Sequence, residues 1–238
     1  MARKKAKMLN FPIALLKGFM ENDGELCLLN IFSYGGYAYG NCQENDDDYG
    51  TYRSFMGGAS YLGIVEEIQQ CGVPGSYLIG QDAFLEHKES PKCGLSIDLL
   101  QDWFYNRSSK KKDDIVRLLM FAAFKSMFLD GKKAISTTKN FLFARMDGRA
   151  TKIKSFTELS EPLQPYYNSR RIYTRLINDL VLDWGLRYYS YRMEGFGVSF
   201  SLSNKELVKK AESARKKNRI ENVKNEIKNA RLDFYFGN

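Results

Sequence analysis

A single histidine, His87, serves 238 residues, which leaves few groups able to exchange a proton near neutral pH. The chain also lacks a Gly-x-x-x-x-Gly-Lys phosphate loop, a Gly-x-Ser-x-Gly nucleophile elbow and a zinc-hydrolase helix. These absences argue against an enzyme. Fifteen tyrosines leave a replication-nicking or recombinase type of nucleophile open. Tyr166 and Tyr167 would then need metal ligands or an arginine-rich cleft, and no His-hydrophobe-His signature supplies the former. Cys27, Cys42, Cys71 and Cys93 are irregularly spaced without a Cys-x-x-Cys pair. A zinc site from Cys71, His87 and Cys93 would lack the closely spaced ligand pairs that structural zinc uses, so buried thiols are expected instead.

Long apolar runs are missing too. The run 115–129 carries Arg117 and Lys125, too short and too charged to span a bilayer. The run from Leu9 to Phe19 follows Arg3-Lys4-Lys5-Ala6-Lys7 but contains Pro12 and Lys17 and has no small-residue cleavage site. A cytoplasmic protein with no membrane partner is expected. The acidic patch Glu44, Asp46, Asp47 and Asp48 does not fit a calcium loop, having no Asp-x-Asp-x-Asp-Gly pattern that ends in a Glu. It reads as a solvated loop, or as a competitor with nucleic acid for the chain's own basic surface. Neither a metal nor a cofactor is expected.

What the chain has in surplus is positive charge. Lys and Arg total 36 against 28 Asp and Glu, a net +8, which favours anionic partners such as DNA, RNA or a membrane surface. With 44% apolar and 27% charged residues it can bury one large core or two small ones. The pattern predicts a basic arm over 1–10, a helical domain over 11–106, a linker over 107–112, a second domain over 113–202, and a basic amphipathic helix and tail over 203–238. Helical pieces are expected at 12–20, 23–39, 52–70 and 97–105, where apolar residues recur every three or four positions despite the glycine-rich stretch from Tyr34 to Gly40 and the pair Gly57-Gly58. The linker Arg107-Ser108-Ser109-Lys110-Lys111-Lys112 is polar and basic.

The second domain is patterned more sharply. A helix over 115–129 begins after Asp113 and Asp114, whose charge suits a helix N-terminus, and stops at Gly131. A second, over 137–146, is capped by Ser136 and stopped by Gly148. A third spans 169–184. On it Ile172, Leu176, Leu180 and Trp184 share one face, with Arg171, Thr174, Arg175 and Asn178 opposite. Gly185 ends it, 186–191 reads as a strand, and Phe196, Val198, Phe200 and Leu202 alternate with small or polar residues.

The segments Ser136-Thr-Thr-Lys-Asn-Phe-Leu-Phe-Ala-Arg-Met-Asp-Gly148, Arg171-Ile-Tyr-Thr-Arg-Leu-Ile-Asn-Asp-Leu-Val-Leu-Asp-Trp-Gly-Leu186 and Gly195-Phe-Gly-Val-Ser199 resemble winged helix-turn-helix DNA-binding proteins. More loosely, they resemble uncharacterised proteins carried by phages and other bacterial mobile elements. The resemblance covers roughly 113–202. It implies a mainly α fold with a small β-ribbon, whose third helix enters the major groove of double-stranded DNA while the wing touches the backbone. The implied function is non-enzymatic DNA binding in replication or transcription control of a mobile element. Arg171 and Arg175 would address phosphates or guanine edges, and Asn178 an adenine, beside Thr174 on the same face. Arg170, Lys139 and Arg149 would hold the backbone, and Arg187 and Arg192 would flank the ribbon tyrosines Tyr188, Tyr189 and Tyr191. The chain departs from the compact pattern at 148–167, where a short turn is usual. That insert carries Lys152, Lys154, Pro162 and Pro165 and a helical turn at 156–159.

Ser203-Asn204-Lys205-Glu206 is a capping box that opens a last helix. Leu207, Ala211, Ala214, Ile220, Val223, Ile227 and Ala230 form an apolar stripe among ten basic and four acidic residues between Lys205 and Arg231. Three roles suit it: lying on its own domain, pairing with a second copy as a homodimer, or tracking phosphates. Bulky aromatics, which a membrane-surface helix would use, appear only at Phe234, Tyr235 and Phe236. The competing function is a structural or assembly protein whose hairpin and last helix bind other chains.

Overall fold

A computed structural model describes residues 8–20, 24–40, 49–106, 109–128, 131–191 and 195–236. The chain is mainly helical with two small antiparallel sheets. It divides into two compact units, Met1–Met127 with Lys139–Leu176, and Phe128–Thr138 with Ile177–Asn238.

The described residues of the first unit open with β1 (Met8–Pro12), which begins within the expected basic arm and ends where the helical piece over 12–20 was expected to start. β1 pairs with β2 (Lys92–Ser96) in the register Met8↔Ser96 to Pro12↔Lys92. Pro12 closes the strand, where its missing N–H leaves the ladder intact. The next residues, Ile13–Met20, wind as a 3-10 helix whose first N–H donates to Pro91 O at 2.9 Å. Helices α1 (Gly24–Ala38), α2 (Tyr49–Leu62), α3 (Val65–Glu86), α4 (Ile97–Tyr105) and α5 (Lys112–Met127) follow.

Two of these depart from the sequence pattern for identifiable reasons. The helix expected over 52–70 breaks at Gly63, whose φ of 75° lets Ile64 N–H return to Ala59 O at 3.1 Å. α3 then runs through Pro74, bent at Gly72 with φ 71° and ψ 169°. α1 and α3 lie very close, because a Cβ on Gly80 would stand 2.2 Å from Ser33 O, and Ser33 Oγ and Ser76 Oγ share a buried hydrogen bond of 2.7 Å.

α5 is the central helix, with Val116, Leu118, Leu119, Met120, Ala122, Ala123 and Phe124 all buried. It packs on α6 (Lys139–Met146), β2 and the 3-10 helix. The expected linker at 107–112 is therefore not where the units divide. Lys110 from that segment lies 3.4 Å from Asp102 Oδ2 and 4.8 Å above the Trp103 ring, tied to α4. After α6 come 3-10 turns at Phe156–Glu158 and Glu161–Leu163, then α7 (Gln164–Asn168) and α8 (Arg170–Asp183).

The second unit holds β3 (Ile135–Thr137), β4 (Arg187–Ser190) and β5 (Phe196–Ser199) in the order β3-β5-β4, all antiparallel. Ser136, expected as a helix cap, is a strand residue instead. Pairing with Gly197 fixes it there, and its hydroxyl meets that of Tyr191 at 2.7 Å. α9 (Asn204–Phe236) packs on β4 and β5. All four residues of β5 are buried rather than alternate ones, because a Cβ on Gly197 would lie 3.3 Å from Ala211 Cβ and 3.6 Å from Leu207 Cδ1 of α9. Glycine is what lets helix and sheet meet so closely.

Candidate nucleic-acid interface

Along α8 the two faces separate as the spacing predicts. Leu176, Ile177 and Leu180 are buried, Ile172 and Trp184 half-buried, and Arg170, Arg171, Thr174, Arg175 and Asn178 exposed. The helix starts on Ser169, whose Oγ accepts from Ile172 N–H at 3.3 Å. Its first turn contains Arg170 and Arg171 and no acidic residue. Cations at the positive end of a helix dipole are unfavourable by roughly 0.3–1 kcal/mol each, and an anion seated there would relieve both charges at once. Arg170, Arg171, Thr174 and Asn178 have no hydrogen-bond or ion-pair partner among the described residues.

Arg175 differs. Its guanidinium donates to the Asp113 carboxylate. Asp113 also holds the Tyr166 phenol, which burial first and that carboxylate second push up to about 12. A raised pKa opposes formation of the phenolate that a tyrosine nucleophile requires. The neighbouring Tyr167 donates its hydroxyl to Asn140 Oδ1 at 2.8 Å.

Lys139 is directed inward in the first unit. Its ammonium donates to Tyr167 O and lies 4.6 Å from the Tyr167 ring centroid, 5.0 Å from Tyr173 and 5.9 Å from Phe143. Burial pushes its pKa down. Arg149 is also engaged, with Nε donating to Asp147 Oδ2 at 3.1 Å and Nη2 to Glu158 O. Glu158 belongs to the turn expected at 156–159, and its carboxylate accepts from Lys154 N–H and Ser155 N–H at 3.1 Å each.

Asp147, which sequence reasoning missed, organises this region. It is buried and accepts from Lys17 Nζ at 3.0 Å, Arg149 Nε at 3.1 Å and Ser160 N–H at 3.3 Å. Burial raises its pKa, but the hydrogen bonds from Ser160 and Lys17 and the Lys17 charge outweigh that and hold the carboxyl below its ordinary value. No spacing in the sequence joins Lys17 to Asp147.

In the second unit Arg187 is half-buried on β4 without an ion-pair partner among the described residues, and Arg192 lies outside those residues. The ribbon tyrosines are used for packing. Tyr188 lies 5.1 Å from the Phe196 ring, Tyr189 5.6 Å from Tyr191, and the Tyr189 hydroxyl donates to Glu212 Oε1 of α9 at 2.5 Å.

Among the described residues no group of three or more His, Cys, Asp or Glu is placed to hold a metal ion, and none of the helices is long and apolar enough to cross a membrane. Cys42 and the acidic patch at 44–48 lie outside the described residues. Burial pushes the His87 imidazole down and the Cys71 and Cys93 thiols up, so each favours its neutral form. The first unit also has a half-open cavity of about 410 Å³ lined in part by Leu9, Asn10, Phe32, Gly35 and Gly58. Gly35 and Gly36 of α1 and Gly58 of α2 line it, glycines where side chains would otherwise narrow it. No protein-family model, no curated protein and no solved structure matches the chain.

Proposed function

We propose that this chain binds double-stranded DNA without catalysing a reaction, using α8 as the recognition helix of a winged helix-turn-helix whose wing is the β4–β5 hairpin. The observation that carries the reading is the row Arg170, Arg171, Thr174 and Asn178, exposed and without a partner among the described residues, opposite the buried face of one helix. Two arginines at the start of that helix suit phosphates, and Asn178 two turns later offers an amide to a base edge. The order α5, β3, α6, two 3-10 turns, α7, α8, β4, β5 is compatible with it, the turns and α7 filling the insert by which the chain departs from the compact pattern. Arg175 joins the contact when phosphate replaces Asp113. On the resemblance of the sequence, the process served is replication or transcription control of a mobile element in the cytoplasm, with a homodimer presenting two such helices.

A second reading, a structural or assembly protein, is favoured by one observation, the exposure of Ile220 and Val223 on α9. Fluorescence anisotropy with labelled duplex and single-stranded DNA across salt concentrations separates the two. The expected result is preferential duplex binding with a steep salt slope. In Arg170→Ala with Arg171→Ala the slope should shrink by about 1 for each arginine that neutralises a phosphate. No binding to either DNA at low salt would sink the DNA reading in favour of assembly, and binding unchanged in the double variant would remove α8 from the interface.

A further inference from the structure

Lys139 stands where two helices stop short of becoming one. α7 ends at Asn168 and α8 begins at Arg170, and between them Ser169 is extended, with φ −84° and ψ 107°. In an unbroken helix Tyr167 O would accept from Arg171 N–H, four residues on. The extended Ser169 turns that donor away, and the Lys139 ammonium donates to Tyr167 O in its place. A lysine suits such a carbonyl, because the end of a helix leaves it without an intrahelical donor and the dipole there is negative. Ser169 in turn starts α8, accepting Ile172 N–H on Oγ at 3.3 Å and Tyr173 N–H on its carbonyl at 3.0 Å.

The same ammonium is held by rings from three helices. Tyr167 of α7 lies 4.6 Å away by centroid, Tyr173 of α8 5.0 Å and Phe143 of α6 5.9 Å, each within the roughly 6 Å over which a ring face attracts a cation. Phe143 packs edge-on against Tyr167 at 5.2 Å. Asn140, the next residue of α6, accepts the Tyr167 hydroxyl at 2.8 Å. α6 therefore holds one α7 residue twice, its carbonyl through Lys139 and its phenol through Asn140. Burial is what moves the Lys139 pKa, downward, and among the described residues no carboxylate pairs with it, so the carbonyl and the ring faces compensate the charge.

We propose that Lys139 is a positioning residue, whose charge keeps α7 and α8 apart and sets the direction of the first turn of α8, on which Arg170 and Arg171 stand. It acts on the interface through that turn and not by touching phosphate, the role its sequence context suggested. A neutral side chain of similar length has no donor for Tyr167 O and no charge for the rings, so the turn should loosen from Ser169 onward. What the positioning serves rests on the DNA reading above; the positioning itself does not.

Hydrogen exchange of the full chain, without nucleic acid, tests it first. In Lys139→Met the amides of Ile172 and Tyr173 should exchange at least about tenfold faster, as suits the loss of one charge-assisted hydrogen bond, while the buried amides of α5 keep their rates. Lys139→Arg should restore the protection. Equal acceleration in α5 and at Ile172 would reduce Lys139 to general stability and overturn the proposal, as would unchanged rates throughout. Should Lys139→Met fail to fold, the wild type still decides, because the ring currents of three faces should move the Lys139 ε-methylene protons upfield of those of other lysines. Ordinary positions for them would overturn the cage. In the anisotropy assay Lys139→Met should bind duplex several-fold more weakly and Lys139→Arg should bind as wild type does. A salt slope smaller by about 1 in Lys139→Met, with the Ile172 and Tyr173 rates unchanged, would make Lys139 a phosphate contact and overturn the proposal. A wild type that binds no duplex, with the exchange pattern as expected, would sink the DNA reading alone.

Discussion

Arg171 and Arg149 are the same side chain in two settings of the first unit. Arg171 stands in the first turn of α8 with solvent around it, whereas Arg149 is held by Asp147 and by Glu158 O. Lys139 sides with Arg149, enclosed by three aromatic rings and a carbonyl. Both sets add equally to the net charge of +8, but only the first is free to meet a partner. What divides them is the backbone and side-chain oxygens that the fold brings alongside, so a surplus of cations in a sequence overstates the surface offered to an anion.

The strongest way to break the contrast is Asp147→Ala. If Asp147 binds Lys17, Arg149 and Ser160 into the fold, its removal takes the acceptor from two part-exposed cations and from Ser160 N–H and should cost about 1.5–3 kcal/mol in urea unfolding. A loss below about 1 kcal/mol would mean that Arg149 is as free as Arg171. Acid titration tests the same group. Its folded pKa is depressed, so its stabilisation is complete above the unfolded value of about 3.9 and fades as pH falls through the lower folded value. Wild type minus Asp147→Asn stability should accordingly shrink between about pH 5 and the acid limit, and a difference constant with pH would count against a depressed Asp147. The smallest effect is expected at Arg175, which sits between the two settings. Asp113→Asn releases an exposed guanidinium and should tighten duplex binding by about 0.2–1 kcal/mol in the anisotropy assay. Adding Arg175→Ala should cancel the gain, and a gain that survives would place the effect elsewhere.

How much of this was legible followed the range of the interactions. α4 spans 97–105 as the apolar spacing predicts, and the faces of α8 follow from a period of three to four. The ribbon strands β4 and β5 fall within the segments read as strands, but the period of two does not describe their burial, since all four residues of β5 are buried. β3 was not legible, because nothing around Ile135 and Ser136 announces a partner in Val198 and Gly197, and a polar Ser-Thr-Thr run reads as readily as a cap. The strand Met8–Pro12 was hidden for the same reason, its short apolar run serving helix or strand equally until Lys92–Ser96 is placed beside it. In the candidate site the exposed face of α8 was readable, while the capture of Arg175, Lys139 and Arg149 depended on Asp113, Tyr167 and Asp147, partners that no local pattern indicates.

The β1–β2 pairing has a consequence in time. Met8 pairs with Ser96, so 88 residues separate the two ends of one ladder rung (96 minus 8). At about 5–20 residues per second of synthesis, β1 waits roughly 4 to 18 seconds for its complement to be made, far longer than the microseconds in which a hairpin closes. Through that interval the nascent chain carries an unpaired strand open to the wrong neighbour. The lysines and arginine that precede β1 at Arg3, Lys4, Lys5 and Lys7 put like charges on every nascent copy, which by mutual repulsion keeps two waiting strands apart.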